Sequence, residues 1–223
     1  MDKVVKVWDP FVRVFHWVLV VAFFTAFFTE GEQWLGVHVN AGYIVLALVL
    51  MRIVWGFVGS RYARFSDFAY SPVSSVEYAM KVLKRSAPRY IGHNPAGALM
   101  IFVLLFMLLA TTISGLLVYG EDQHAGPMKS FFAAESSAKT ATESIGAEAT
   151  ERDEDEANEN KSAGKGDEEE EFLEELHDSL ADITLFLVAI HVLGVIIESL
   201  VHKENLARAM VTGRKRADEQ SVG

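Results

Sequence analysis

Residues 174–201 read EELHDSLADITLFLVAIHVLGVIIESLV. The run is apolar, free of proline, and long enough to cross a bilayer as a helix. It carries two histidines, His177 and His191, fourteen residues apart. At ~1.5 Å and ~100° per residue they stand ~21 Å apart along the axis and within ~40° of one another around it. Both imidazoles therefore leave one face of the helix, at two depths. Imidazole inside a membrane is costly and takes a partner or a task. Two stacked haems, each drawing one axial ligand from this helix, would use this spacing. Two polar residues bonding neighbouring helices would use it equally, so the rest of the chain must discriminate.

The 223 residues are 51% hydrophobic and yet carry a formal charge of −10. The conflict resolves by position: residues 120–176 hold eighteen Asp/Glu against five Lys/Arg, and the remainder twelve against fifteen. This is the pattern of one membrane domain, 1–223, with an acidic insert. From 133 to 168 the insert is mostly Ala, Ser, Glu, Asp, Lys and Gly, which cannot bury enough apolar surface to fold alone, so a disordered external loop is expected. The chain has no cysteine, which excludes disulfides, iron–sulfur clusters, zinc thiolates and covalent c-type haem. Any haem is non-covalent.

Three further apolar runs have spanning length, giving four spans at about 11–29, 37–58, 95–119 and 177–201. The first follows Asp9-Pro10, contains Arg13 and His16, and has no small-residue cleavage site after it, so it reads as a retained span. The fold class is all-α: an integral membrane four-helix bundle. Lys3, Lys6 and Arg13, then Arg61 to Arg89, then Lys203 to Arg216 form three basic segments that fall on one side when four spans alternate. The expected location is a bacterial inner membrane, multi-pass, with both termini cytoplasmic. Between spans two and three, Ser71-Pro72 offers a helix start, and Ser74 to Glu77 a capping box. Val76, Met80 and Leu83 then share a face, as in a helix lying on the inner leaflet. A second short helix is expected at Lys203–Val211, stopped by Gly213.

With this topology His16 lies toward the cytoplasmic side and His38 toward the periplasmic side. His177 is periplasmic in depth and His191 deeper. Depth pairs His38 with His177 and His16 with His191, two bis-histidine sites without adjustment. Gly42, Ala181 and Gly194, each three or four residues after a ligand, allow close approach of a flat group. Arg52, inside the second span, is a candidate for a haem propionate, with Arg13 a second. Its alternative is snorkelling to the interface. His93 opens the third span in Gly92-His93-Asn94-Pro95, while His124 and His202 fit neither pair.

The stretch Trp8-Asp9-Pro10-Phe11-Val12-Arg13-Val14-Phe15-His16-Trp17 resembles the first-span signature of the bacterial cytochrome b561 / nickel-hydrogenase cytochrome b family. The His-x13-His of the fourth span and the ending Glu204-Asn205-Leu206-Ala207-Arg208-Ala209-Met210 are similar too. That family includes the cytochrome b subunits of formate dehydrogenase and thiosulfate reductase. The resemblance covers nearly the whole chain except the acidic insert. It implies a four-helix bundle with two b haems on His16, His38, His177 and His191. Its implied activity is electron transfer between membrane quinone and a redox partner, without hydrolytic or transferase chemistry of its own. The resemblance suggests a hydrogenase or another dehydrogenase as partner, and the acidic loop suits a periplasmic c-type cytochrome; no nucleic acid is expected. The quinone is expected near His93, Asn94 and Gly97, because the formate dehydrogenase subunit uses an Asn and a Gly before its third helix. A metal or proton transporter also places histidines in its spans. Against it, the first three spans hold no Asp or Glu.

Overall fold

Asp9-Pro10 starts the first long helix, α1 (Pro10–Phe28). The Asp9 backbone is extended, its carboxylate accepts the Val12 N–H at 2.8 Å, and Pro10 takes a first-turn position that needs no donor. Upstream lies β1 (Lys3–Lys6). A single 3-10 turn at Glu32–Trp34 leads into α2 (Leu35–Val58). Then follow α3 (Pro72–Leu83), β2 (Arg89–Tyr90), α4 (Pro95–Asp122), α5 (Asp155–Val201), α6 (Leu206–Thr212), β3 (Arg214–Ala217) and β4 (Ser221–Val222). The computed structural model describes residues 3–122, 126, 155–217 and 221–222.

Among the described residues four helices are long and apolar enough to cross a membrane, at Pro10–Phe28, Glu32–Val58, Pro95–Gly120 and Glu171–Val201. The architecture is that of an all-α membrane protein. The chain divides into two compact units, Met1–Leu109 with Ile183–Gly223, and Ala110–Asp182. In the first unit Phe15 and Ala22 of α1, Val45, Leu48 and Val49 of α2, and Leu105 and Leu108 of α4 form one apolar cluster. Other span residues, such as Val21, Val54, Phe106 and Leu193, are exposed, as side chains facing lipid are.

The three basic segments meet at one edge of this unit. β1 pairs antiparallel with β3, from Lys3 opposite Ala217 to Lys6 opposite Arg214. Arg89 bonds both oxygens of Glu204 at 2.9 Å, and Lys215 donates to the Tyr90 carbonyl at 2.9 Å. Asp9 joins α1 to the end of α2 by accepting from Trp55 Nε1 at 3.1 Å and Ser60 Oγ at 2.5 Å. Burial alone would raise its carboxyl, but the hydrogen bonds from Ser60, Val12, Trp55 and Phe11 together hold it below the usual range.

Three local expectations change. α3 starts at Ser71-Pro72 as expected, but its cap is Ser71, which accepts from Ser74 N–H at 3.2 Å, and the Ser74 to Glu77 box lies inside the helix. The tail helix starts at Leu206 with Asn205 as its cap, because Lys203 turns into a positive φ of 49° and breaks the run. It ends at Gly213, whose φ of 77° suits glycine. The segment expected to be unstructured, 133–168, is helical from Asp155 onward, continuous with the fourth span. Extending a helix past a formed one needs no new nucleus, and Ala, Glu and Lys support it. Residues 133–154 and His124 lie outside the described residues.

Candidate haem-binding site

His38 stands in the first turn of α2, and its Nδ1 lies 2.9 Å from the carbonyl of Ala26 in α1. A carbonyl only accepts, so Nδ1 carries the hydrogen and Nε2 the lone pair in the neutral ring. His177 on α5 repeats the arrangement in the second unit. Its Nδ1 lies 3.0 Å from the Thr111 carbonyl of α4 and 3.0 Å from Ser114 Oγ, which itself donates to Thr111 O at 2.9 Å. Gly115 makes this possible: a Cβ there would sit 2.8 Å from His177 Cε1. Both rings thus have fixed tautomer and orientation, the outer-shell arrangement of a histidine that binds metal through Nε2.

His16 and His191 are both partly buried in the first unit, and His191 is near enough to act on His16 electrostatically. His16 Nδ1 is buried with no hydrogen-bond partner. Arg52 is 3% exposed; one guanidinium nitrogen, Nη1, has no partner, and its carbon lies 5.0 Å from the centre of the Phe65 ring. Arg13 donates from Nη1 to the Val211 carbonyl at 2.7 Å and leaves Nε unpartnered. Among the described residues four buried side-chain atoms lack a hydrogen-bond partner, and three of them belong to His16, Arg13 and Arg52. A buried cation with an idle donor calls for an anion. Room exists beside His38 and His191 as well: a Cβ on Gly42 or Gly194 would meet nothing within 4 Å. Imidazoles with fixed lone pairs, idle guanidinium donors and open helix flanks fit haem, with its iron, its carboxylates and its flat ring.

At the edge where α4 begins, His93 packs between Trp8, with ring centres 4.6 Å apart, and Phe68, at 4.3 Å. Burial pushes His93 down to about 3, and the charges of Arg52 and Lys215 act in the same direction. The ring is a neutral packing element. Asn94 caps α4, its Oδ1 accepting the Gly97 N–H at 2.7 Å. Its Nδ2 donates to Glu198 Oε1 at 3.0 Å. Tyr78 Oη reaches the same oxygen at 2.7 Å, and His202 Nε2 lies 3.3 Å from it. The structure therefore gathers His93, Asn94 and Gly97 at one edge, and adds Tyr78, Glu198 and His202, which sequence reasoning missed. A signal for Glu198 was present, since it follows His191 by seven residues, two turns along the same face. Thr111, Ser114 and Gly115 had no such signal.

Among the described residues no group of three or more His, Asp and Glu converges to hold a metal ion directly. The model of the prokaryotic cytochrome b561 family matches residues 7–213. The probable Ni/Fe-hydrogenase 1 B-type cytochrome subunit of Escherichia coli K12 is 30% identical over 150 residues, covering 54% of this chain and 63% of that protein. The probable Ni/Fe-hydrogenase B-type cytochrome subunit of Cupriavidus necator is 28% identical over 151 residues, 56% of this chain and 62% of that protein. The chain thus spans somewhat less than two thirds of the length of these relatives. No solved structure matches the chain. With the family match running from Val7, just before the capping Asp9, to Gly213 after the last helix, the chain belongs to the prokaryotic cytochrome b561 family, membrane helical proteins that carry electrons on haem b.

Proposed function

We propose that the chain passes electrons across the membrane on two haems b, one held by His38 and His177 and the other by His16 and His191. The observation that carries this reading is the matched Nδ1–H to carbonyl bond of His38 and His177, which presents Nε2 as a ligand in both. The four histidines would hold the haem iron, and a group bound there would supply one-electron chemistry. Ala26 and Thr111 hold the ligand rings, Gly115 gives His177 its place, and Arg52 and Arg13 compensate haem carboxylates. A quinone head group meets the edge formed by His93, Asn94 and Gly97. Asn94 Nδ2 carries two hydrogens, of which Glu198 takes one.

The three basic segments tied together at that edge support its assignment to the cytoplasm, and with it both termini. The redox partner then docks at the opposite, periplasmic face. The names of the relatives favour a hydrogenase; a c-type cytochrome with a basic surface is the second reading, on the strength of the acidic 120–176 segment. The test is optical. The purified chain shows a Soret band and, after dithionite, a sharp alpha band of b-type haem, with two haems per chain by extraction. A folded, colourless protein refutes the reading, and one haem per chain refutes its pairing.

A further inference from the structure

Glu198 occupies an unusual place. Its side chain is 12% exposed, near the end of a membrane span, and three groups from three directions converge on Oε1. Tyr78 comes from α3, Asn94 from the cap of α4, and His202 from one turn further along. A buried carboxylate of this kind is retained at a cost unless it is satisfied or used. Glu198 lies two turns beyond His191 on the same face, ~10 Å along the helix. One helix face therefore carries the haem ligand and, at the membrane edge beside Asn94, an ionisable group.

We propose that Glu198 exchanges protons with the quinone held at Asn94, and that His202 connects it to the aqueous edge. This rests on the quinone reading above. In the reductive direction a quinone takes two electrons, one at a time, from the carrier and two protons. The Glu198 O–H breaks as an O–H forms on the carbonyl oxygen that Asn94 holds. The other carbonyl takes its proton from water at the membrane edge, so quinone, two electrons and two protons give quinol. His202 Nε2 lies 3.3 Å from Oε1 without a hydrogen bond to it, so the ring turns into bonding geometry to pass a proton from water to the carboxylate. Quinol oxidation runs the same steps backwards.

The surroundings accommodate both states of Glu198. Tyr78 Oη lies 2.7 Å from Glu198 Oε1 and 3.2 Å from the Pro88 carbonyl, so its one hydrogen serves either. With Glu198 ionised, Tyr78 donates to it. With Glu198 protonated, Glu198 donates to the Tyr78 oxygen and the phenol turns to Pro88. Neither state leaves the Tyr78 hydroxyl or the Asn94 amide stranded. Burial and the Glu198 bond raise Tyr78 far above the ordinary phenol range, so it orients the carboxyl without ionising. Lys215 of β3 also feels the Glu198 charge, together with those of Glu204, with which it pairs at 3.8 Å, and Arg89.

The experiment uses the full-length haem-loaded protein in nanodiscs with a short-chain quinol as reductant, and compares Glu198→Gln, His202→Asn and Asn94→Ala. Glu198→Gln keeps the haem spectrum and dithionite reduction, slows quinol-driven haem reduction tenfold or more, and flattens its rise with pH. His202→Asn is slowed less, and added imidazole restores it. Redox-difference infrared spectra of the wild type show a carboxyl band that is absent in Glu198→Gln. If Glu198→Gln runs at the wild-type rate and pH profile while Asn94→Ala is slow, the quinone site stands and the proton role falls. If all three run at the wild-type rate, both fall. Should Glu198→Gln fail to fold, a wild-type infrared spectrum without a carboxyl band on quinol addition overturns the proposal by itself.

Discussion

Replacing Gly115 by alanine tests the His177 site with one methyl group. The added Cβ would lie 2.8 Å from His177 Cε1, 3.2 Å from Nδ1 and 3.4 Å from Nε2, so the whole ring edge is in its way. An ordinary carbon contact needs about 3.5–4.0 Å, and the ring must retreat by roughly 0.7 Å or more. Nδ1 now sits 3.0 Å from Thr111 O, and a retreat of that size takes the bond beyond useful length. The hydrogen bond itself is worth about 0.5–1.5 kcal/mol. Loss of an outer-shell partner of a ligating histidine lowers metal affinity by about 10–100-fold, or about 1.4–2.8 kcal/mol. Gly115→Ala should therefore lose the haem of His38 and His177 selectively while keeping the other. Ser114→Ala, which removes one contact without a clash, should be milder. Haem-to-protein ratio and a two-component redox titration measure this. Two haems at unshifted potentials in Gly115→Ala would show that the His177 ring does not need its Thr111 anchor.

Further outcomes follow from the same geometry. His38→Ala and His177→Ala should remove the same haem, and His16→Ala and His191→Ala the other; redox titration of the four variants reads the pairing, and loss of one common haem from His16→Ala and His177→Ala would refute it. His93 is held at about 3, below its ordinary 6.5, so the unfolded chain binds a proton that the folded chain refuses between those values. Stability should fall as pH drops from about 6.5 toward 3, by up to about 1.4 kcal/mol per pH unit, and His93→Phe, which keeps a ring between Trp8 and Phe68, should blunt that acid sensitivity in thermal melts. Excising residues 135–165 should leave both haems in place, and should slow transfer to a basic partner at low salt more than at high salt.

The helices were legible because lipid imposes simple rules. Long apolar runs, the Asp9-Pro10 start and the Asn94-Pro95 start all follow from local chemistry, and the helices observed lie within a few residues of those stretches. The four candidate histidines were singled out by the spacing of His177 and His191 and by the depth of all four in the spans. What was not legible depends on contacts between distant segments. Ala26 and Thr111 act through backbone carbonyls, which no side-chain pattern encodes. Gly115 matters because of a ring 62 positions away, and in sequence it is one small residue among several in an apolar span. The β1–β3 pairing joins the two ends of the chain, and its four-residue strands carry too few residues to declare a period. The helix from Asp155 was missed for a related reason: composition describes what a segment does alone, and this one extends a helix already made.

The fourth span orders the parts of the molecule by depth. His177, Thr184, His191 and Glu198 follow one another at seven-residue steps, and each step rotates the helix by only ~20°. Thr184, midway between the two histidines, is fully buried, so the stripe faces protein at that level. A single face thus presents, in sequence, one histidine, a small buried residue, a second histidine and a carboxylate. Substitutions along this face should separate by function: those at 177 and 191 act on haem content, and those at 198 on exchange with quinone. The neighbouring faces of the same helix, with Phe186, Leu193 and Leu200 exposed, need only be apolar. One helix can carry these four positions at fixed spacing because its rise per residue does not vary.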